Sequence, residues 1–250
     1  MAFIHTWHKA GNGELLGVAH STTRFWDTRY FKDPRDLWSE AGVNPMPWPD
    51  RVAVNGPMML RVCKHANYPA TRLVEVEALR YLDIQQAPPV RDLSGRLRML
   101  ICGEYSPAAD QRMLDLVNEA LEITDIPIYA TYRPHPAYVG PPVRLHPGIR
   151  LHGATSLREA LLWANVAICG PLSSVAVEAI GAGRPTIIVG NARLFLTSPL
   201  ESTGANNVTT AHGLTHALEQ TSGYLVEPSS ILADVFGNPS QPKSWHELLL

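Results

Sequence analysis

The segment from Gly170 to Pro185 constrains the fold most, because it separates two short apolar runs. Val166–Cys169 precedes the segment and Thr186–Val189 follows it, and both runs have the length and composition of buried strands. A turn and a short helix fit between them. The sequence therefore predicts a strand–helix–strand unit centred on this segment.

The helix of this unit is predicted to begin at Ser173 and Ser174, because serine is a frequent N-cap residue. Gly181 and Gly183 are natural positions for its end. Glu178 is the one charged residue of a helix that is otherwise apolar on all sides, so we expect the helix to be buried against a sheet. Hydroxyl groups and a helix N-terminus beside the end of a strand suit an anion. An ordinary capped strand–helix–strand unit is the alternative interpretation.

Strands and helices alternate from residue 97 onward, which predicts an α/β fold with a parallel, doubly wound sheet. Strands are predicted at 97–102, 126–130, 149–152, 166–169 and 186–189, helices at 108–123, 156–163, 174–181 and 213–220, and a polar loop at 201–210. Before residue 97, the predicted helices are 3–10 and 57–65, and the predicted strands are 15–19, 51–54 and 72–76.

A domain boundary is predicted where the pattern loosens between residues 77 and 98, because proline and glycine interrupt it there. We assign residues 1–85 to a partial N-terminal domain, 86–96 to a linker and 97–250 to a C-terminal domain. The first part is short for a whole domain. The expected architecture is therefore the end of an N-terminal Rossmann-like domain, joined to a complete C-terminal one, and the chain is expected to be a fragment or a truncated relative.

The charge and cysteine content exclude some classes of function. A net charge of -2 and a pI near 6.5 give no electrostatic footprint for nucleic acid. The three cysteines are far apart and form no CxxC pair, which favours a reduced, cytoplasmic protein. No apolar run approaches the roughly 18 residues of a membrane span. Peripheral association with the inner membrane or with a polysaccharide complex is left open.

Three loops are predicted to meet at the carboxyl edge of the second sheet, where doubly wound proteins bind their ligands. Arg133 and His135 supply hydrogen-bond donors for a phosphate, and the two serines supply hydroxyls. Glu178 is placed to accept hydrogen bonds from ribose hydroxyls. A structural loop histidine is the alternative for His135. The candidate nucleotide- and phosphate-binding residues are Gly103, Glu104, Arg133, His135, Pro136, Gly170, Ser173, Ser174 and Glu178.

Arg133-Pro-His-Pro136 together with Ser173-Ser174 resembles the HP and Ser-Ser motifs of bacterial GT-B glycosyltransferases that use CMP-activated sugars, such as sialyltransferases and some Kdo transferases. Other segments resemble surface-carbohydrate (O-antigen or capsule) biosynthesis proteins of that fold, and the likeness covers most of residues 1 to 220. These segments are His20–Phe31, Val54–Gly56 and Glu77–Leu82.

The resemblance implies an inverting, metal-independent glycosyltransferase that moves a sugar from a CMP-activated donor to a bacterial surface polysaccharide or a lipid-linked glycan. It places His135 and the Ser173–Ser174 turn on the nucleotide phosphate and Glu178 near the ribose. Histidine and serine side chains that donate hydrogen bonds can stabilise the departing phosphate in place of a cation, so no metal or other cofactor is expected. His5 and His8 have a spacing that suits a metal, but nothing nearby completes a site.

The catalytic base is not where the resemblance would place it, because the D/E-D/E-G triplet of the sialyltransferases does not occur in this sequence. His20 is the first candidate, since a histidine near neutrality suits deprotonation of a sugar hydroxyl. Asp27 is the second candidate, and a structural role for His20 is the alternative. Two further functions stay open. One is a CDP-glycerol-type glycerophosphotransferase, and the other is a non-catalytic nucleotide-binding subunit of a polysaccharide assembly complex.

Overall fold

The computed structural model describes residues 2–11, 13–19, 33, 47–81, 95–153, 156–171, 173–193, 198, 200, 205–221, 233–235, 237 and 243–249. In chain order the elements are α1 (Ala2–Ala10), β1 (Leu16–Val18), β2 (Arg51–Asn55), α2 (Gly56–His65), β3 (Leu73–Val76), β4 (Leu97–Cys102), α3 (Pro107–Ile123), β5 (Ile128–Arg133), β6 (Ile149–Leu151), α4 (Leu157–Trp163), β7 (Val166–Cys169), α5 (Val175–Gly181), β8 (Thr186–Val189), β9 (Asn206–Val208), α6 (Ala211–Thr221) and α7 (Lys243–Leu249). They form two compact units, residues 1–82 with 232–250, and residues 83–231.

The first unit contains a parallel sheet in the order β1-β2-β3. Strand β2 is its buried centre, and α2 packs on it through Met58, Met59 and Val62. The predicted strand over 15–19 is shorter than expected, and among the described residues β1 pairs only with β2, which leaves Val18 51% exposed. Helix α1 follows the sequence prediction but buries no residue.

The C-terminal residues return to the first unit. The indole Nε1 of Trp245 in α7 donates a hydrogen bond to the carbonyl of Glu77 at 2.7 Å. The backbone N–H of Ser244 donates to the Glu77 carboxylate at 3.2 Å. Residues 232–250 therefore group with residues 1–82. The sequence prediction had placed them in one C-terminal domain spanning 97–250.

The second unit is built on a six-stranded parallel sheet in the order β6-β5-β4-β7-β8-β9. Successive strands extend from β4 toward one edge and then, from β7, toward the other. The order thus reverses between β4 and β7, which makes this point the topological switch of a doubly wound sheet. The predicted parallel, doubly wound α/β architecture is confirmed.

One core cluster of the second unit lies on one face of this sheet. Met99 and Ile101 of β4, with Ile168 of β7, are fully buried there. Helices α3 and α6 cover this face, and α3 contributes Leu114 while α6 contributes Leu214. Burying one such side chain stabilises the fold by about 1.5–3 kcal/mol, so this core holds the sheet that carries the loops described below.

Helix α5 ends as the sequence predicts. Gly183 has a positive φ of 69°, its N–H donates to the carbonyl of Ile180, and the N–H of Arg184 donates to that of Ala179. This pair of hydrogen bonds is the Schellman arrangement, which requires a left-handed residue that glycine adopts without strain. The buried Arg184 side chain then donates from Nε to the Leu161 carbonyl at 2.7 Å. Burial lowers the pKa of this guanidinium to about 10.

Two predicted segments of the second unit differ clearly from the structure. Strand β5 begins at Ile128 and runs to Arg133, because its residues pair with the whole of β4 from Leu97 to Cys102. The apolar Ile126 had suggested an earlier start. The predicted polar loop over 201–210 contains β9, which pairs in parallel with β8 despite two asparagines. Pairing with an existing sheet outweighs a weak intrinsic strand preference.

Candidate functional site

Gly103 brings the loops after β4 and β5 into contact. Its N–H donates to the carbonyl of Arg133 at 2.8 Å. A Cβ atom built on Gly103 would lie 2.7 Å from the Tyr132 hydroxyl and 3.0 Å from the backbone nitrogen of His135. Because real Cβ atoms do not approach other atoms so closely, a larger residue at position 103 would separate the two loops.

Gly170 and Glu104 join the loops after β4 and β7 across the switch point. Glu104 is buried, and a Cβ atom on Gly170 would lie only 1.6 Å from its Oε1 atom. The carboxylate therefore occupies the space that any side chain at position 170 would need. The absence of that side chain lets a carboxylate stand in the crevice where doubly wound sheets bind their ligands.

The His135 ring is oriented by its own loop. The N–H of Ala137 donates to His135 Nδ1 at 3.1 Å, so the neutral ring carries its proton on Nε2. Tyr105 contacts the ring edge to face at 5.7 Å between centroids. Pro136 is exposed and occupies the second position of a turn. The backbone N–H of Tyr138 closes this turn by donating to the His135 carbonyl at 2.9 Å. His135 can thus present an N–H donor, while Pro136 shapes the turn.

The Ser173–Ser174 turn differs from the predicted cap. Ser174 is the N-cap residue of α5, but its side chain makes no capping hydrogen bond. Instead, Ser173 Oγ accepts the N–H of Val175 at 3.3 Å, and the Ser173 carbonyl accepts that of Ala176 at 3.4 Å. The first N–H groups of the helix are therefore already satisfied within the turn. What the turn can offer a ligand is hydroxyl groups, and not the row of backbone donors that we expected.

Two carboxylates flank the end of β7. Cys169, its last residue, is fully buried and pairs in register with Cys102 of β4. The adjacent Cys102 thiol, burial, and the negative charges of Glu104 and Glu178 together raise the pKa of the Cys169 thiol. Glu178 is half-buried in the first turn of α5. The carboxylates of Glu104 and Glu178 thus both lie near the end of β7.

Arg133 is the last residue of β5, whereas the sequence predicts that it lies in the loop after this strand. Burial, followed by the positive charge of Arg133, lowers the pKa of His152. The Nδ1 atom of His152 lies 3.1 Å from Thr131 Oγ1. His152 follows the edge strand β6 as His135 follows β5, and the rule about strand ends would have selected it as a further candidate.

The two candidate catalytic bases, His20 and Asp27, lie outside the described residues. His8, one of the two histidines with metal-like spacing, has its Nε2 atom 3.3 Å from the carboxylate of Asp50. Within the described ranges no group of three or more potential metal ligands occurs. No helix in that part of the chain is long and apolar enough to cross a membrane.

Comparisons with known proteins identify the fold class. No family model matches the sequence, and no curated protein is significantly similar to it. Anabaena Alr3699/HepE in complex with UDP-glucose superposes with a TM-score of 0.62 at 13% identity, over 98% of this chain and 74% of that one. The glycotransferase of kitacinnamycin superposes with a TM-score of 0.54 at 14% identity, over 89% of this chain and 61% of that one.

A third structure is the UDP-GlcNAc 2-epimerase of Methanocaldococcus jannaschii in complex with UDP-GlcNAc and UDP, with a TM-score of 0.54 and 14% identity over 80% of this chain. This chain spans 61% of the length of that epimerase and of the kitacinnamycin enzyme. The shared architecture is that of GT-B, Rossmann-like glycosyltransferases and epimerases. The fold class expected from the sequence is confirmed.

Proposed function

We propose that residues 83–231 form the donor-binding part of a glycosyltransferase and bind a nucleotide-activated sugar in the crevice between β4 and β7. The observation that carries the proposal is the contact of three loops at the switch point through Gly103 and Gly170. Each loop brings a polar side chain suited to a nucleotide. The likeness to structures that hold UDP-glucose and UDP-GlcNAc supports this choice of ligand class.

The charges of the site suggest how the ligand is oriented. His135 Nε2–H and the serine hydroxyls are hydrogen-bond donors, so we assign the phosphate to them. Glu104 and Glu178 would repel a phosphate at short range. We therefore assign these two carboxylates to hydroxyl groups of the ribose or of the transferred sugar. Arg133 adds a positive charge at the end of β5.

The donor is proposed to be a pyrimidine nucleotide sugar. The sequence motifs favour a CMP-activated sugar and a bacterial surface polysaccharide as acceptor, with inversion and without a metal. Two of the similar structures contain UDP or a UDP-sugar, so a UDP-activated donor is the alternative within the same site. A catalytic base at His20 or Asp27 is part of this proposal.

Thermal unfolding with CMP, CDP and UDP tests the binding step. We expect at least one of these nucleotides to raise the Tm of the wild-type protein, and we expect His135→Ala to abolish the shift. His216→Ala is the matched control, because His216 is an exposed histidine of α6 whose neighbours are Glu219 and Gln220. That variant should keep the wild-type shift. If none of the three nucleotides stabilises the wild type at millimolar concentration, the proposal is wrong.

A nucleotide-sugar epimerase is the second candidate, because the M. jannaschii UDP-GlcNAc 2-epimerase shares the fold. The two activities are separated by incubating the protein with UDP-GlcNAc in the presence and absence of a lipid-linked glycan. Appearance of the epimer without an acceptor would favour the epimerase. Sugar transfer that requires the acceptor would favour the transferase, and binding without turnover would favour a non-catalytic subunit. A parallel reaction with CDP-glycerol that moves phosphate with the glycerol would indicate the phosphotransferase.

A further inference from the structure

A carboxylate without solvent exposure lies beneath the loop that carries Glu104. Asp110 is in the first turn of α3, and its exposed fraction is 0%. One carboxylate oxygen, Oδ1, accepts the backbone N–H of Glu104 at 3.0 Å. The other, Oδ2, accepts the hydroxyl of Tyr132 at 2.5 Å. Both oxygens are thus engaged by groups that border the crevice.

Tyr132 supplies this carboxylate with a hydrogen-bond donor that stays protonated at neutral pH. Burial, and then the hydrogen bond to Asp110, raise the pKa of the Tyr132 hydroxyl well above its ordinary value. The same hydroxyl oxygen lies where a side chain at Gly103 would begin, 2.7 Å from the ideal Cβ position. The Tyr132 hydroxyl thus lies beside Gly103, and the Asp110 carboxylate holds the backbone N–H of the next residue, Glu104.

The arrangement connects three parts of the second unit. Asp110 belongs to α3, Tyr132 to β5 and Glu104 to the loop after β4, and the Glu104 side chain reaches Gly170 after β7. A buried carboxylate costs free energy that an apolar side chain at the same place on α3 would not. One of its hydrogen bonds is to the loop beside the crevice. A backbone N–H bonded to a charged acceptor is held more firmly than one bonded to water.

We propose that Asp110 is a positioning residue of the nucleotide site. It fixes the peptide N–H of Glu104 and so holds the Glu104 carboxylate over Gly170, where it accepts a hydrogen bond from a ligand hydroxyl. This inference rests on the function proposed above. Asp110 itself does not touch the ligand, and it acts through Glu104.

Three substitutions separate positioning from stability. Asp110→Ala removes both acceptors, so we expect the Kd for the nucleotide to rise about tenfold. Asp110→Asn retains an oxygen that can accept the Glu104 N–H, so it should restore most of the affinity. Tyr132→Phe removes the hydroxyl but leaves the Asp110–Glu104 hydrogen bond, so its Kd should stay within about threefold of wild type. All three variants should be less stable than the wild type.

Leu114→Ala is the control for stability, because Leu114 is fully buried on the same helix but faces the core. It should lose stability without a change in Kd. The affinities are measured by titration calorimetry with UDP and CMP, at a temperature at which every variant is folded. Hydrogen exchange of the Glu104 amide is measured in parallel, and we expect it to be about tenfold faster in Asp110→Ala and unchanged in Leu114→Ala.

The two proposals fail in different ways. If the wild type binds no nucleotide, the proposed function is wrong, and amide exchange at Glu104 then decides alone whether Asp110 holds the loop. If the wild type binds and Asp110→Ala binds equally well, Asp110 has no positioning role. The same conclusion follows if affinity in all four variants decreases in proportion to stability, or if the Glu104 amide exchanges at the wild-type rate in Asp110→Ala.

Discussion

Both units of the chain contain a parallel sheet with helices, but the strand orders of the two sheets differ. Within the described residues, the sheet of the first unit runs in one direction, β1-β2-β3. The sheet of the second unit reverses between β4 and β7. Where the order reverses, the loops leave in opposite directions and a crevice opens between them. The comparison shows that the strand order of the sheet creates the crevice. The polar side chains of the candidate site then line it.

Exposed ion pairs and buried polar groups have different effects on stability. The ion pairs Arg51–Glu14 and Arg61–Asp234 of the first unit lie at the surface, where such pairs contribute little free energy. In the second unit Asp110 and Arg184 are buried and hydrogen-bonded to backbone atoms. Buried polar groups lose stability when one partner is removed, so they fix the position of the segments that they bind.

The largest effect is expected where an apolar side chain is buried in the core of the second unit. Leu214→Ala should lower the free energy of unfolding of the second unit by about 2–5 kcal/mol, because it leaves a cavity in the core. Phe3→Ala in α1 should change stability by less than about 0.5 kcal/mol, since Phe3 is 65% exposed. Urea unfolding followed by hydrogen exchange of peptides from each unit measures both. A comparable loss in Phe3→Ala would contradict the comparison.

A smaller effect is expected at the crevice. Gly170→Ala places a Cβ atom 1.6 Å from Glu104 Oε1, so the carboxylate must move. We expect a loss of about 1–3 kcal/mol and weaker nucleotide binding. Adding Glu104→Ala should restore the stability of the Gly170→Ala protein but not its binding. Gly153→Ala is the control, because no atom of the described residues beyond its chain neighbours lies within 4 Å of its Cβ position. Equal losses in the two single variants would mean that Glu104 does not fill this space.

The smallest effect on stability is expected from the Tyr132 hydroxyl, and it appears only at alkaline pH. Its folded pKa is raised above the ordinary 10.0, so the stabilisation is complete below pH 10 and is lost as the pH rises beyond it. Above pH 10 the wild type should therefore lose about 1.4 kcal/mol per pH unit more than Tyr132→Phe does. Urea unfolding between pH 9 and 11 measures the slopes. Tyr105→Phe, at a 68% exposed position, should follow the wild type, and parallel slopes in all three proteins would contradict the prediction.

Local signals predicted most of the fold. The capping box at Ser156 and Glu159 forms both of its hydrogen bonds, and α4 begins where the pair predicts. The return of α7 to Glu77 could not be predicted, because the two hydrogen-bonded residues are separated by 168 positions and no local pattern links them. The asparagines of β9 likewise gave no strand signal, since their conformation depends on pairing with β8.

The sequence predicts which loops form the candidate site, but not the side-chain contacts within it. The rule about strand ends selected the loops that contain Glu104, His135 and Gly170, and the structure brings these loops together. The same rule could not select Asp110, whose role depends on where the side chains of α3 meet β5. It also overestimated the α5 N-terminus, because a sequence does not reveal which backbone N–H groups a turn has already satisfied.

The buried cysteines offer a practical way to detect ligand binding. Cys102 and Cys169 lie directly below the crevice, while Cys63 lies in the core of the first unit, and all three are free thiols. A thiol reagent can reach them only when the surrounding structure opens, because burial and the raised pKa of Cys169 suppress reaction in the closed state. The chain therefore carries native reporters in both units. Slower alkylation of the crevice pair in the presence of a ligand, with an unchanged rate at Cys63, would record ligand occupancy without any added label.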